Sequence, residues 1–544
     1  MIRLRGNVPR WFLPAAILLL AAAFRLIALH AHPIGFFRDE ADKGYTSLCL
    51  WLTGQDQAGA FLPLFVRSLQ VTTSALYQYI NIPFIALFGL HEWVVRLPAA
   101  LAGTGSVIAV YYLARRWWGK TPALWTAAFL AVSPWSLLLS RWANQSILLT
   151  LWIPLAVYFL AAKEDRPLPS WADTAWGCLF LLLALYTYAP ARLFIPVFAA
   201  LLAAILLYHA WREHAPSKAM IRFMALYAAI LALGALPLAW HIIAQPEASS
   251  ARLARITIFD GQPLVMVGLE WVRNYFLHFS LNFLFVSGDA NPRHSIEGFG
   301  QLHMYLLPLI VVGIMGALRK RARSDWLLLA WLLCFPIAAA CTRESIPHAL
   351  RSVFAIPLMQ LLAARGLITL HHFASNPPAW LKHSAIKITS AVWVGIAILS
   401  VLVFLGQLYV RYPIASALDW EAGWREAVGW WKENHAPYER TVVTGIAAYP
   451  EVFFLFYGDI EPAEWIEKQE VPGVQFLQTG LPAQSAFRFE GPPTLYLVRP
   501  DELSNLQPLE VVHLPSGQAV WKWCRGGEKP ASPDENSVKT GPSD

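Results

Sequence analysis

The sequence predicts a polytopic α-helical membrane protein with about eleven transmembrane helices, its N-terminus inside, and a small extracytoplasmic α/β domain at the C-terminal end. Three observations carry that prediction. The chain is 57% hydrophobic and only 14% charged, whereas soluble domains carry about 25% charged residues. Apolar runs recur from residue 11 to residue 410, each with roughly the 17–25 residues that a helix needs to cross a bilayer. Basic residues gather in the short connections between alternate runs, which places those connections in the cytoplasm.

The first run, 11–31, follows Arg3, Arg5 and Arg10, is long enough to span, and has no small-residue cleavage site after it. It reads as an uncleaved first helix. Residues 32–93 then form a long outer loop with two surface-lying helical stretches, 44–53 and 75–90. Pro83 and the polar trio Gln78, Tyr79 and Asn81 argue against a full span by the second stretch. Spans follow at 94–114, 121–139, 145–162, 171–188, 192–210 and 221–240. A second long outer loop, 241–300, precedes spans at 301–318, 326–341, 349–370 and 388–410. The inner loops of this topology hold Arg115, Arg116 and Lys120; Lys163 and Arg166; Arg212, Lys218 and Arg222; Arg319, Lys320, Arg321 and Arg323; and Lys382 with Lys387.

Residues 1–410 are therefore one membrane domain, and the composition changes after it. Residues 418–435 have the spacing of an amphipathic helix with a tryptophan-rich face. Thr441–Thr444 and Thr494–Val498 read as short buried strands, and alternation around 509–523 as edge strands. Residues 411–526 thus form a soluble α/β domain, and 527–544, rich in Gly, Pro, Ser and charge, a disordered tail. The 25 Trp and 18 Tyr suit interfacial belts. The net charge of +7 is spread between apolar runs rather than gathered on a soluble face, which excludes a nucleic-acid partner and leaves the lipid bilayer. Cys49, Cys178, Cys334, Cys341 and Cys524 have no metal or redox spacing.

Carboxylates cluster where the first span ends, in Phe36-Phe37-Arg38-Asp39-Glu40-Ala41-Asp42-Lys43-Gly44-Tyr45. Acids at a bilayer boundary are costly to hold without a purpose. Later outer turns bring Ser140-Arg141-Trp142-Ala143-Asn144, then Tyr186 and Tyr188 with Arg192, then Gly288-Asp289-Ala290-Asn291-Pro292-Arg293-His294, and finally Arg343-Glu344 with Pro347-His348-Ala349-Leu350-Arg351. Arg and His of this kind bind phosphate through charge-assisted hydrogen bonds. A carboxylate serves as a general base towards an acceptor hydroxyl. Each residue taken singly has a bland reading, such as Asp39 paired with Arg38 or an arginine snorkelling to headgroups. Collectively they suit displacement of a lipid phosphate from a sugar.

Asp39-Glu40-Ala41 with Gly44-Tyr45, then Arg96-Leu97-Pro98, then Ser133-Pro134 and Ser140-Arg141, resemble the large-loop GT-C glycosyltransferases. That group includes bacterial relatives of the protein O-mannosyltransferases and of the aminoarabinose transferase acting on lipid A. The resemblance covers residues 1–410 in architecture, and its sharp motifs lie in the first 150 residues. It implies an inverting glycosyltransferase of a bacterial-type plasma membrane. Such an enzyme takes a sugar from a polyprenyl phosphate and gives it to a hydroxyl acceptor at an extracytoplasmic site. The family's catalytic acid maps onto Asp39, with Glu40 positioning the site or binding acceptor. The family's second acid has no counterpart, because Arg141 and Asn144 stand in that loop. Arg293, His294, His348, Arg351 and Arg141 are then the expected ligands of the donor phosphate, and Tyr45, Tyr188, Arg192 and Asp289 the expected substrate contacts. Trp135, Trp142 and Tyr186 are further sugar-stacking candidates. No organic cofactor is called for, and a divalent metal is left open because no ligand spacing marks one. The sequence names neither the sugar nor the acceptor. A transporter or lipid flippase is the rival reading, against which the absence of repeated halves counts, and a non-catalytic scaffold is a third.

Overall fold

The computed structural model describes residues 9, 11–69, 71–161, 166–245, 256–259, 261–375, 377, 383–482 and 492–527. The expected tail, apart from Gly527, lies outside the described residues, as do Arg3, Arg5, Arg10, Lys163 and Lys382.

Helices stand at every position where the sequence calls for a span. They begin with α1 (Phe12–Leu26), α2 (Arg38–Thr53), α3 (Leu76–Phe88), α4 (Glu92–Trp118), α5 (Lys120–Ala131) and α6 (Pro134–Leu139). Then come α7 (Leu149–Leu160), α8 (Trp171–Thr187), α9 (Ala191–Arg212) and α10 (Ser217–Ala244). The later rods are Leu307–Lys320, Arg323–Ala340, Ala355–Ser375 and His383–Ala415. Five helices are long and apolar enough to cross a membrane by length and composition: α4, α9, α10, Arg323–Ala340 and His383–Ala415. The others are shorter or broken, except Ala355–Ser375, which has 21 unbroken residues but is less apolar. The 121–139 run, for instance, splits into α5 and α6 at Val132 and Ser133, because Pro134 has no N–H to continue the ladder. α3 has 13 residues with Pro83 inside it, consistent with a surface-lying stretch.

α4 is the central post. Gly103 lets it approach Ser140 so closely that a Cβ there would stand 2.0 Å from the hydroxyl. α10 and His383–Ala415 lie at the periphery, with only 11% and 6% of their apolar windows buried.

Three expectations need correction. The acidic stretch after the first span is not a loop. It is the first two turns of α2, with Asp39 and Glu40 complementing the positive end of the helix dipole. The second outer loop contains a helix of its own, Leu264–Leu277. Between α2 and α3 the chain also forms an antiparallel hairpin, β1 (Phe65–Ser68) with β2 (Val71–Ser74), which no pattern had marked.

The C-terminal domain is α/β. Its five-stranded sheet comprises β3 (Arg440–Val443), β4 (Val474–Phe476), β5 (Thr494–Val498), β6 (Pro508–His513) and β7 (Ala519–Gly526), in the order β4-β3-β5-β7-β6. β3 runs parallel to β4 and β5, whereas β7 is antiparallel to β5 and β6. The 509–523 stretch was expected to supply edge strands only. β6 is an edge, but β7 sits between two neighbours and buries Val520, Trp521, Trp523 and Cys524. Helix Trp424–Asn434 covers the sheet, and Trp523 Nε1 donates to Ala427 O at 3.2 Å.

Candidate functional site

A cavity of about 840 Å³ opens where residues 37–73, 290–293, 344–345 and 418–449 meet. Arg38, Asp39 and Lys43 enter it from α2, Arg293 from the 290–293 segment, Glu344 from a later turn, and Asp419 with Glu421 from the stretch after the last membrane helix. Tyr449 reaches it from the α/β part of the chain.

The N-terminus of α2 is fixed from two sides. Glu40 is fully buried and its carboxylate is saturated. Arg96 donates to it through Nε at 2.9 Å and Nη2 at 3.0 Å, Ala143 N at 2.8 Å and Phe37 N at 3.2 Å. Glu421 accepts from Arg38 N at 2.9 Å and pairs with the Arg38 guanidinium. Burial pushes the Glu421 carboxyl upward against the pull of Arg38. With both neighbours engaged, Asp39 is left facing the cavity. Its carboxylate has no hydrogen bond or ion pair among the described residues, and Lys43 Nζ donates to its backbone oxygen at 3.1 Å.

Arg293 is the cationic counterpart of Asp39. Its guanidinium carbon lies 3.6 Å from the centre of the Phe37 ring, and among the described residues its hydrogen bond is one from Nε to Asn291 Oδ1 at 3.4 Å. Burial lowers its pKa while the charges of Asp39 and Glu421 oppose the shift. The remaining N–H fork is therefore available in the cavity.

Behind Arg293 stands a buried cluster. Asp289 Oδ2 lies 3.0 Å from His294 Nδ1 and 3.8 Å from His348 Nδ1. The same oxygen accepts from Ala349 N at 2.7 Å, and Oδ1 accepts from Asn291 N at 2.9 Å. Burial raises the Asp289 pKa, but the contacts of His294, His348 and Ala349 outweigh it and hold the carboxyl below its ordinary value. Burial, reinforced by Arg351 and His294, keeps His348 well below the usual imidazole value. The three ligand atoms lie within 4.8 Å of one another, so among the described residues these three form a group that could hold a metal ion.

Of the expected site residues, the cavity thus brings together Asp39 and Arg293, with His294, His348 and Asp289 directly behind its wall. Others are elsewhere. Arg141 is buried and donates to the carbonyls of Phe24, Ile27, Ala28 and His32 at 2.8–3.2 Å, so it closes the end of α1 and has no fork left for phosphate. Arg351 is committed to Thr342 Oγ1 at 2.9 Å and to Glu344 at 2.7 Å. Tyr45 is fully buried and donates to Ile460 O at 2.9 Å, joining α2 to the soluble domain rather than touching substrate. Arg192 stacks 5.0 Å over Phe65, away from the cavity, and Tyr188 does not line it either. Trp135 and Trp142 are buried, the latter 5.2 Å from Trp420.

Arg38, Lys43, Asp419 and Glu421 line the cavity without having been singled out. The signal for the last two was present. Leu418-Asp419-Trp420-Glu421 places acids just beyond a span, as Asp39-Glu40 does.

Residues 73–240 match a family model described as dolichyl-phosphate-mannose-protein mannosyltransferase. The chain is 30% identical over 169 residues to YkcB, a provisionally named mannosyltransferase of Bacillus subtilis (strain 168), covering 30% of this chain and 22% of that protein. It is 26% identical over 240 residues to YycA of the same organism, named in the same way, covering 43% of this chain and 32% of the relative. The matches therefore span between about a fifth and a third of the relatives' own lengths. Among solved structures, the fold is similar to that of ArnT from Cupriavidus metallidurans bound to undecaprenyl phosphate. The TM-score is 0.55 at 15% identity, over 96% of this chain and 100% of that one. The apo state of ArnT gives 0.54 at 15% identity, over 94% and 97%. At such identity the likeness is one of fold. The resemblance to GT-C glycosyltransferases read from Asp39-Glu40 and Arg96 is borne out, and with it a polytopic helical membrane protein.

Proposed function

From a chain with the fold of a GT-C membrane glycosyltransferase, whose residues 73–240 match the mannosyltransferase family model, we infer an enzyme that moves a sugar from a polyprenyl phosphate to a hydroxyl acceptor. The transfer takes place in the cavity at the outer face of a bacterial-type plasma membrane. One observation carries the reading: among the described residues Asp39 presents a carboxylate without hydrogen bond or ion pair, and Arg293 two Nη groups without a hydrogen bond, to the same cavity. ArnT, whose fold is shared, was solved with undecaprenyl phosphate, which supports a lipid-phosphate donor.

In this mechanism Asp39 accepts the proton of the acceptor hydroxyl as its oxygen attacks the anomeric carbon. The bond from that carbon to the phosphate oxygen breaks on the opposite face, so configuration inverts. The electron pair leaves with the polyprenyl phosphate, whose growing charge Arg293 stabilises. Glu40 acts at one remove by fixing the first turn of α2 through Arg96. Asp419 and Tyr449 are placed to meet the sugar or the acceptor.

The test uses purified protein in detergent with polyprenyl-phosphate sugars and an envelope acceptor fraction, following release of free polyprenyl phosphate by mass spectrometry. Asp39→Asn is expected to lower release by about 10²–10⁴-fold, the usual share of a general base. Arg293→Ala is expected to lower it by about 10²–10³-fold, with Lys restoring part. Release by Asp39→Asn at the wild-type rate would remove the assignment.

A further inference from the structure

The Asp289, His294 and His348 cluster has no part in the transfer step, yet its geometry is specific. We propose that Asp289 Oδ2, His294 Nδ1 and His348 Nδ1 bind one divalent first-row transition metal ion, of which Zn²⁺ is the type. The ion would fasten the outer segment 288–300 to the outer turn 342–351. Two imidazole nitrogens and a carboxylate oxygen are a ligand set such ions prefer. Two ligands at about 2.0–2.2 Å from one tetrahedral ion stand roughly 3.3–3.5 Å apart. The observed separations from Asp289 Oδ2, 3.0 Å to His294 and 3.8 Å to His348, lie on either side of that value.

A carboxylate–imidazole hydrogen bond accounts for His294 but not for His348, whose Nδ1 accepts only a long hydrogen bond, from Arg351 N at 3.5 Å, among the described residues. At 3.8 Å its Nδ1 is too distant to bond the oxygen it approaches. The surroundings hold the three ligands in place, as outer-shell groups of metal sites do. Ala349 N and Asn291 N fix the carboxylate, and His278 Nε2 accepts from His348 N at 3.1 Å. The ring of Trp142 stacks on His294 at 6.4 Å. All three ligand residues are buried, so this is not an accidental surface group.

The site's position gives the ion its role. Ala290, Asn291, Pro292 and Arg293 on one segment, and Glu344 and Ser345 on the other, line the same cavity. An ion bound to Asp289, His294 and His348 ties the two walls together and sets the depth at which Arg293 projects.

The experiment is metal analysis of the full-length protein, extracted in detergent without chelator, by inductively coupled plasma mass spectrometry. About one equivalent per chain is expected, with Asp289→Asn, His294→Gln and His348→Gln each lowering occupancy about tenfold or more. His371→Gln with His372→Gln, which removes an exposed pair, is expected to leave occupancy unchanged. A second measurement needs no substitution: the chelator-stripped wild type, titrated with Co²⁺, is expected to develop the intense visible absorption of a tetrahedral site and to regain its melting temperature. Metal that stays in the Asp289, His294 and His348 variants, or that leaves with His371 and His372, overturns the proposal. So does a metal-free protein that gives no tetrahedral Co²⁺ band. These readouts do not involve sugar transfer, so they stand or fall apart from the activity assigned above.

Discussion

Asp39 and Glu40 are adjacent carboxylates in opposite circumstances, and the difference decides what each does. Glu40 holds a two-point ion pair with Arg96 plus two backbone N–H groups, entirely away from water. Removing one partner of a buried pair strands the other charge, at a cost of about 3–5 kcal/mol. Glu40→Ala is therefore expected to lower the melting temperature in detergent sharply, whereas Asp39→Asn, which breaks no hydrogen bond or ion pair among the described residues and removes only a charge at the start of α2, shifts it far less while lowering transfer by about 10²–10⁴-fold. Thermal unfolding of the two variants side by side checks the assignment. Asp42 offers a pH signature. Burial raises its pKa from 3.8 to about 7, despite hydrogen bonds from Ser68 and Gln57 and the charge of Lys43. Between those values the folded chain keeps a proton that the unfolded chain has released, so stability falls as pH rises from about 4 to 7 and then levels. In Asp42→Asn that decline should be absent, which melting curves across the range will reveal. The sequence made the acidic cluster visible as an anomaly at a membrane boundary. It did not sort the three acids, because partners such as Arg96, Ala143 and Ser68 are 26–103 residues away in the chain.

At the scale of elements, α2 is the keystone between the two domains. Gly44 sits where a Cβ would meet Phe456 at 2.6 Å and Val95 at 2.8 Å, so α2 is wedged between α4 and helix Glu451–Tyr457 of the soluble domain. Gly44→Val is expected to destabilise the protein by roughly 1–3 kcal/mol as an overpacked core does. It should also loosen the soluble domain, read as faster limited proteolysis within residues 440–527. The Gly44-Tyr45 motif thus has a packing reason, as Tyr45 bonds the same domain through Ile460. The connector after the last membrane helix joins in. Trp420 Nε1 donates to Tyr412 at 3.0 Å, and Tyr412 donates to Pro292 O at 2.8 Å. Helices and the strands β3 and β5 were legible from periodicity and β-branched runs. The hairpin β1–β2 was not, because its residues lack alternation and its place is set by Ser68 on Asp42 and by Ser74 on Tyr186.

For the whole molecule, the apolar runs announced a membrane bundle, and the bundle is there. What hydropathy could not tell is which runs form the interior: α4 is 72% buried over its apolar window and α10 only 11%, at comparable apolarity. Nor could it show that Arg25, Arg96 and Arg141 are internal fasteners. Arg96 donates to the carbonyls of Leu29, Pro33 and Gly35, Arg141 to those of Phe24, Ile27, Ala28 and His32, and Arg25 to Leu130 and Ala131. The segment that leads from α1 to Asp39 is therefore shaped by groups made long after it. A nascent chain that has delivered α1 and α2 to the membrane still lacks Arg96 and Arg141. The order of synthesis thus separates the arrival of Asp39 from the fixing of the segment that leads to it by tens of residues. Chains arrested before residue 96 should show the 27–40 segment open to a thiol-labelling reagent at a Leu29→Cys probe, and chains from which residue 141 has emerged should show it closed, as Leu29 is buried in the complete fold. On this view the order of synthesis, as much as the fold, decides when the cavity beside Asp39 takes its shape.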